Sequence, residues 1–286
     1  MAKEHFADLA LGRARWLEAG AGEPLLLLHG MGMYSSANLF DFLIPRLESS
    51  FRIVAPDWLG FGKGVRVLEE GPTFELMMEH LRELMDHLKL ESANVLGHSM
   101  GGWVAAQFAY QSPSRVKKLM MLCAAGMNKA PAASIRFEKV PTRDEMRAML
   151  KGSMRHPEQA DPKMLEAALD SCVEMVSMPG ALQSLDPLLH QMETPSLRER
   201  YMLQRRLPQI RVPSIMAWAE GDPFEPYPTW NKEWSDIGGD MRRSSKPWTI
   251  PGARFARLPT GHWPHIENPA KLAELVLNFF SGGKNA

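Results

Sequence analysis

Ala93-Asn94-Val95-Leu96 reads as a buried strand and Gly102 to Phe108 as a helix, with only Gly97-His98-Ser99-Met100-Gly101 between them. A strand that passes into a helix within so few residues has no room for a hairpin. It must enter a crossover, the connection that parallel strands require. The neighbouring sequence repeats the alternation. Arg13–Ala19, Leu25–Leu28, Arg52–Ala55 and Leu119–Cys123 read as strands, and Ala37–Leu47, Thr73–Leu88 and Met100–Gln111 as helices. The second of these helices carries Leu76, Met77, His80, Leu81, Leu84, Met85 and Leu88 at spacings of 3 or 4, one apolar stripe. Strands and helices in strict alternation predict an α/β architecture, a mostly parallel sheet covered on both faces.

The rhythm breaks near Met127. From 127 to 207 no strand-like run occurs, while Pro141-Thr142-Arg143-Asp144, Asp161-Pro162 and Thr194-Pro195-Ser196 look like capped helix starts. Nine of the 20 methionines fall in this stretch. Methionine adapts to irregular apolar space, which suits ordinary helical packing and equally a pliable wall over a cavity. Strands resume at Ser214–Ala219 and Arg254–Leu258, followed by a terminal helix at Pro269–Phe280. The expected organisation is one core domain from residues 1–126 and 208–286, interrupted by a helical insertion at 127–207.

Composition narrows the functions available. Lys plus Arg and Asp plus Glu number 33 each, so no net positive field gathers nucleic acid or an anionic membrane surface. No apolar run approaches the roughly 18 residues of a membrane span. The first twenty residues carry charges throughout and lack a signal-peptide core. Cys123 and Cys172 sit in no C-x-x-C motif and form no disulfide framework, so a reducing compartment, the cytoplasm, is expected. The partner expected is a small-molecule substrate.

Chemistry concentrates on a few turns. Gly97–Gly101 matches G-x-S-x-G, and on a strand-to-helix turn this motif exposes a serine hydroxyl beside the helix N-terminus. Ser99 is the candidate nucleophile, and an unactivated serine needs a base. Of nine histidines, His262 is favoured because Thr260-Gly261-His262-Trp263 joins the last strand to the last helix and can reach the carboxyl edge of the sheet. His265 is its neighbour and rival. The two together lack a third ligand or an H-E-x-x-H pattern, so no metal is expected. Asp222 follows Ser214–Ala219 and can orient the imidazole, with Glu220 and Glu225 as fallback carboxylates. His29-Gly30-Met31-Gly32 follows Leu25–Leu28, a glycine-flanked turn that exposes backbone N–H groups. The N–H of Met31 and that of Met100 are the candidate oxyanion donors.

These motifs resemble those of the α/β-hydrolase family, in particular its compact carboxylesterases and its carbon–carbon hydrolases of meta-cleavage products. The resemblance spans nearly the whole chain and rests on His29-Gly30, Asp57-x-x-Gly60-x-Gly62, Gly97–Gly102, Gly221-Asp222-Pro223 and Gly261-His262-Trp263. It implies an α/β-hydrolase fold, a helical cap at 127–207 inserted after the sixth strand, a Ser99–His262–Asp222 triad and hydrolysis through an acyl-enzyme with no cofactor. A serine at 99 argues against the dehalogenase and epoxide hydrolase branches, which use aspartate there. Asn38 and Trp263, with His29, Gly30 and His98, are the expected pocket residues. Two departures separate the chain from the carbon–carbon hydrolases: His98 stands where they usually have asparagine, and Cys172 falls near the slot of their cap arginine.

The expected reaction is hydrolysis of a carboxylic ester of small to medium apolar character. The alternatives are carbon–carbon hydrolysis of a 2-hydroxy-6-oxo-dienoate, peroxide turnover through the same serine, and ligand binding without turnover. The stretch holding Trp230, Trp234 and Trp248 reads as surface helix and loop, with a pocket wall or a homodimer contact as its functional readings.

Overall fold

The computed structural model describes residues 2–66, 71–127, 137–224 and 250–282. Eight strands form one sheet in the order β1-β2-β4-β3-β5-β6-β7-β8. They are β1 (Lys3–Leu9), β2 (Gly12–Ala19), β3 (Glu23–Leu28), β4 (Phe51–Pro56), β5 (Ala93–His98), β6 (Val116–Leu122), β7 (Ser214–Ala219) and β8 (Arg254–Leu258). β1 and β2 run antiparallel to each other, and β2 runs antiparallel to β4, while every pair from β4 to β8 is parallel. Chain order reverses at β3, which lies between β4 and β5. Open α/β sheets bind ligands at such a switch point, beyond the carboxyl ends of the strands. Leu25 to Leu28 at its centre are all fully buried, as a strand covered on both faces requires.

The helices are α1 (Ile44–Leu47), α2 (Phe74–His87), α3 (Met100–Gln111), α4 (Arg143–Gly152), α5 (Pro162–Val176), α6 (Asp186–Glu193), α7 (Pro195–Tyr201), α8 (Pro264–Glu267) and α9 (Pro269–Phe280). Polar caps set the expected starts. Thr73 Oγ1 accepts from the Leu76 N–H to open α2, and a reciprocal Thr142–Glu145 capping box opens α4. The apolar stripe of α2 places Met77, Leu81, Leu84 and Met85 in the core.

Three elements differ from the sequence expectation. β1 is an added edge strand. Its partly exposed pattern carries little apolar periodicity, and pairing to β2 holds it in place. The single helix expected at Ala37–Leu47 is split into a 3₁₀ turn at Ala37–Phe40 and α1, because Pro45 cannot donate in a continuing helix. α6 was not foreseen.

The helices α4 to α7 and two short 3₁₀ turns occupy the stretch between β6 and β7. At one end the indole N–H of Trp103 donates to the Tyr201 carbonyl at 2.7 Å, and the Leu203 N–H donates to the Gly126 carbonyl at 2.9 Å. Among the described residues, no helix is long and apolar enough to cross a membrane.

Candidate active site

Ser99 joins β5 to α3 with φ 54° and ψ −120°. A β-carbon in this left-handed region costs about 1–3 kcal/mol, which surrounding packing must hold in place. Here the holding is tight: a β-carbon on Gly101 would collide with the carbonyls of Leu28 and His29, so only glycine lets α3 press against β3. The Ser99 N–H donates to the Leu122 carbonyl at 2.9 Å, and its own carbonyl accepts from Ala125 at 3.1 Å. Ser99 itself keeps partial exposure at the carboxyl edge of the sheet.

Asp222 and His262 meet at the same edge. Asp222 follows β7 and His262 follows β8, and His262 Nδ1 lies 2.7 Å from Asp222 Oδ2. The other carboxylate oxygen accepts the Phe224 N–H at 2.9 Å. Both residues are at least 95% buried, so solvent screens their contact little. The Nδ1–H therefore points to Asp222, which leaves Nε2 bare as the basic nitrogen.

The His262 loop is fixed to β5 by His98. His98 Nε2 lies 2.7 Å from the His262 carbonyl, which can only accept, so Nε2 carries the proton. The ring is fully buried, and burial, aided by His265 and His262, holds its pKa well below the ordinary histidine value. His98 thus backs the base and does not face a ligand through this nitrogen. His265 meets it edge-to-face with ring centroids 4.6 Å apart, and burial pushes its pKa down to about 3. Neither His265 nitrogen has a hydrogen-bond partner, and its contact with Phe40 places it in the interior, away from the role of base. Among the described residues no hydrogen bond joins Ser99 Oγ to His262. In unliganded enzymes this contact is commonly long and tightens in the complex.

The turn after β3 is braced by His29. His29 Nε2 accepts the Trp58 N–H at 3.1 Å, and Nδ1–H donates to the Gly30 carbonyl at 2.8 Å. Burial lowers its pKa to about 4, so the ring stays neutral. With its carbonyl tied back, Gly30 lies flat against the nucleophile, and a β-carbon there would sit 3.1 Å from Ser99 Cβ. Met31 follows, half-buried. Met100 is the first residue of α3, where the N–H has no intrahelical acceptor. The sequence brings these two donors to the same end of neighbouring strands β3 and β5.

Other candidates are placed differently. Asn38 is half-buried: its Oδ1 accepts from Arg15 at 2.9 Å and its Nδ2 donates to Asp41 at 3.0 Å. Through Arg15 it joins a network in which the buried Asp57 accepts from Arg15, the Ala37 N–H and the Lys63 N–H. Glu220 pairs with Arg155. Glu225, Trp230, Trp234, Arg242, Arg243, Lys246 and Trp248 lie outside the described residues. Trp263 is buried against Tyr34 and His262. Cys172 is fully buried on α5, where burial pushes its thiol up to about 12 and leaves it unreactive. Sequence reading missed Glu267, whose carboxylate accepts the N–H groups of Gly261, Arg155 and His156. Gly261 lies only six positions before it, but the sequence carries no signal for the pairing with Arg155 and His156, more than a hundred positions away.

A family model of the alpha/beta hydrolase fold matches residues 23–151. An uncharacterized protein of Mycobacterium tuberculosis is 30% identical over 266 residues, covering 91% of this chain and 76% of its own length. The chain belongs to the α/β-hydrolase family. A 2-hydroxy-6-oxononadienedioate/2-hydroxy-6-oxononatrienedioate hydrolase of Paraburkholderia phymatum is 27% identical over 280 residues, covering 93% of this chain and 90% of its own. Among solved structures, a serine hydrolase from a polyaromatic hydrocarbon-degrading Cycloclasticus superposes with a TM-score of 0.81 at 21% identity, over 99% of both chains. A 2-hydroxy-6-oxo-6-phenylhexa-2,4-dienoate hydrolase from Rhodococcus gives a TM-score of 0.78 at 21% identity, over 98% of this chain and 99% of its own. At such identities the structural likeness speaks for the fold.

Proposed function

We propose that the chain is a serine hydrolase that cleaves a carbon–carbon bond next to a ketone in a 2-hydroxy-6-oxo-dienoate. The observation that carries the chemistry is the buried 2.7 Å contact between His262 Nδ1 and Asp222, which leaves Nε2 basic on the edge where Ser99 is exposed. The full-length likeness to the dienedioate hydrolase favours this substrate over the simple ester expected from the sequence.

In this reading the dienol first ketonises, its 2-hydroxyl proton passing to C5, and Ser99 Oγ then attacks the C6 ketone carbon while His262 Nε2 takes its proton. The oxyanion is held by the N–H groups of Met31 and Met100, each worth about 3 kcal/mol to the transition state. The carbonyl re-forms, the carbon–carbon bond breaks, and its electron pair leaves as a dienolate that His262 protonates. Water, deprotonated by His262, then attacks the Ser99 ester and releases a carboxylic acid. Residues 127–207 act as the cap over this site, with their methionines as an adaptable wall. Ester hydrolysis stands as the second reading, favoured by Cys172, an uncharged side chain in the cap.

The test compares decay of the visible absorbance of 2-hydroxy-6-oxo-6-phenylhexa-2,4-dienoate with release of p-nitrophenol from a short aryl ester. Faster turnover of the dienoate, abolished in Ser99→Ala, supports carbon–carbon cleavage. Turnover of the ester alone would transfer the assignment to the second reading, and undiminished activity in Ser99→Ala would overturn both.

A further inference from the structure

The catalytic loop is gripped through its main chain from two sides. The His262 carbonyl is held by His98 of the core, and the His262 N–H donates to the carbonyl of Ser153, just after α4, at 2.7 Å. This second bond joins the base directly to the cap. The approach is close: a β-carbon on Gly261 would lie 2.6 Å from the Arg155 nitrogen, and one on Gly221 would lie 2.7 Å from Arg155 Cβ. The segment Ser153–His156 therefore packs against the loop of the base and that of the acid together.

Glu267 stitches these segments. Its Oε2 accepts the Gly261 N–H at 2.8 Å and the Arg155 N–H at 3.2 Å, and its Oε1 accepts the His156 N–H at 3.1 Å. One side chain thus satisfies three backbone donors, one on the catalytic loop and two on the cap. Bonds from N–H groups to a carboxylate are stronger than those between neutral groups. We propose that Glu267 is a positioning residue that clamps the cap segment 153–156 onto the His262 loop, so that seating of the cap sets the placement of the base. This inference rests on the triad reading, since it concerns how His262 is held.

The structure distinguishes two substitutions. Glu267→Ala releases all three donors. Glu267→Gln keeps an oxygen for Gly261 and Arg155 and turns an N–H₂ toward His156, so it loses one contact of three. A misplacement of about 1 Å in a reacting group costs on the order of 100-fold, and a partial loosening costs less. The expected result for Glu267→Ala is therefore a fall in kcat of roughly 10–100-fold with KM changed less than about threefold. Labelling of Ser99 by a fluorophosphonate should slow by a similar factor. Glu267→Gln should stay within about fivefold of the unmodified protein but measurably below it.

Labelling rates, kcat, KM and melting temperature are measured for both variants. Slow labelling by Glu267→Ala, with Glu267→Gln intermediate and measurably below the unmodified rate, supports the clamp, because a purely structural role would lower the melting temperature without the kcat-specific loss. Labelling of Glu267→Ala at the unmodified rate overturns it. Should Glu267→Ala fail to fold, Glu267→Gln decides alone, and unmodified kinetics there also overturn the clamp. Failure of the unmodified protein to label at Ser99 would instead strike the triad, and the clamp with it.

Discussion

Replacing Asp222 by asparagine tests the assignment of acid and base more sharply than removing either. The two carboxylate oxygens have distinct duties: Oδ1 accepts the Phe224 N–H at 2.9 Å and Oδ2 faces His262 Nδ1 at 2.7 Å. Asparagine has one oxygen. If that oxygen stays on Phe224, the amide N–H₂ faces Nδ1 and donates to it. The imidazole is then driven to carry its proton on Nε2, the nitrogen that must receive the Ser99 proton. If the amide flips, the oxygen serves Nδ1 but an N–H₂ meets the Phe224 N–H, breaking a part-buried hydrogen bond worth about 0.5–1.5 kcal/mol. That penalty alone makes the productive tautomer about 2- to 13-fold rarer. Loss of the negative charge that stabilises the imidazolium adds to it, and the combined loss expected in kcat is about 10³- to 10⁴-fold. The assay is steady-state turnover beside fluorophosphonate labelling, with a melting curve to show that the fold persists. Retention of more than a tenth of the activity by Asp222→Asn would refute the assignment of this carboxylate.

Gly30→Ala places a methyl 3.1 Å from Ser99 Cβ and 3.2 Å from His98 Nδ1, so kcat should fall at least about tenfold while the melting temperature shifts by only a few degrees. Stability should also fall with acid in a specific window. His29 and His80 are lowered by burial to about 4 and His265 to about 3, so between these values and 6.5 the unfolded chain binds protons that the folded one does not. Their stabilisation is complete above about pH 6.5 and is lost as pH falls toward 4, with His29 alone accounting for about 3 kcal/mol. Urea midpoints measured from pH 8 to pH 4 should follow this slope, and His80→Leu should flatten it by one proton's share. An unchanged slope in His80→Leu would show that His80 is not the buried neutral group assigned here.

The parts legible from sequence are those governed by local rules. The α3 boundaries follow from the glycine turn, those of α9 from Asn268 and Pro269, and the start of α4 from its capping box. The order of Ser99, Asp222 and His262 on turns after strands is local information too. What the sequence concealed depends on pairing between distant segments. Asn38 reads as a pocket residue, yet its side chain bonds Arg15 of β2, 23 positions away. His98 reads as lining until the His262 carbonyl, 164 positions away, is seen to accept its hydrogen bond. Glu267 is concealed in the same way, since two of its three partners, Arg155 and His156, lie more than a hundred positions away.

Arg15 reaches Asp57, Asn38 and Glu4 from the interior of β2, with 1% of its surface exposed. Asp57 in turn fixes Ala37, a few residues beyond the oxyanion turn. The amino-terminal hairpin, which lends no group to the reaction, is thereby a foundation of the floor on which the reaction takes place. Trimming it, or fusing a tag that pulls it from the sheet, strands a carboxylate in the interior and should blunt turnover before the molecule loses its shape.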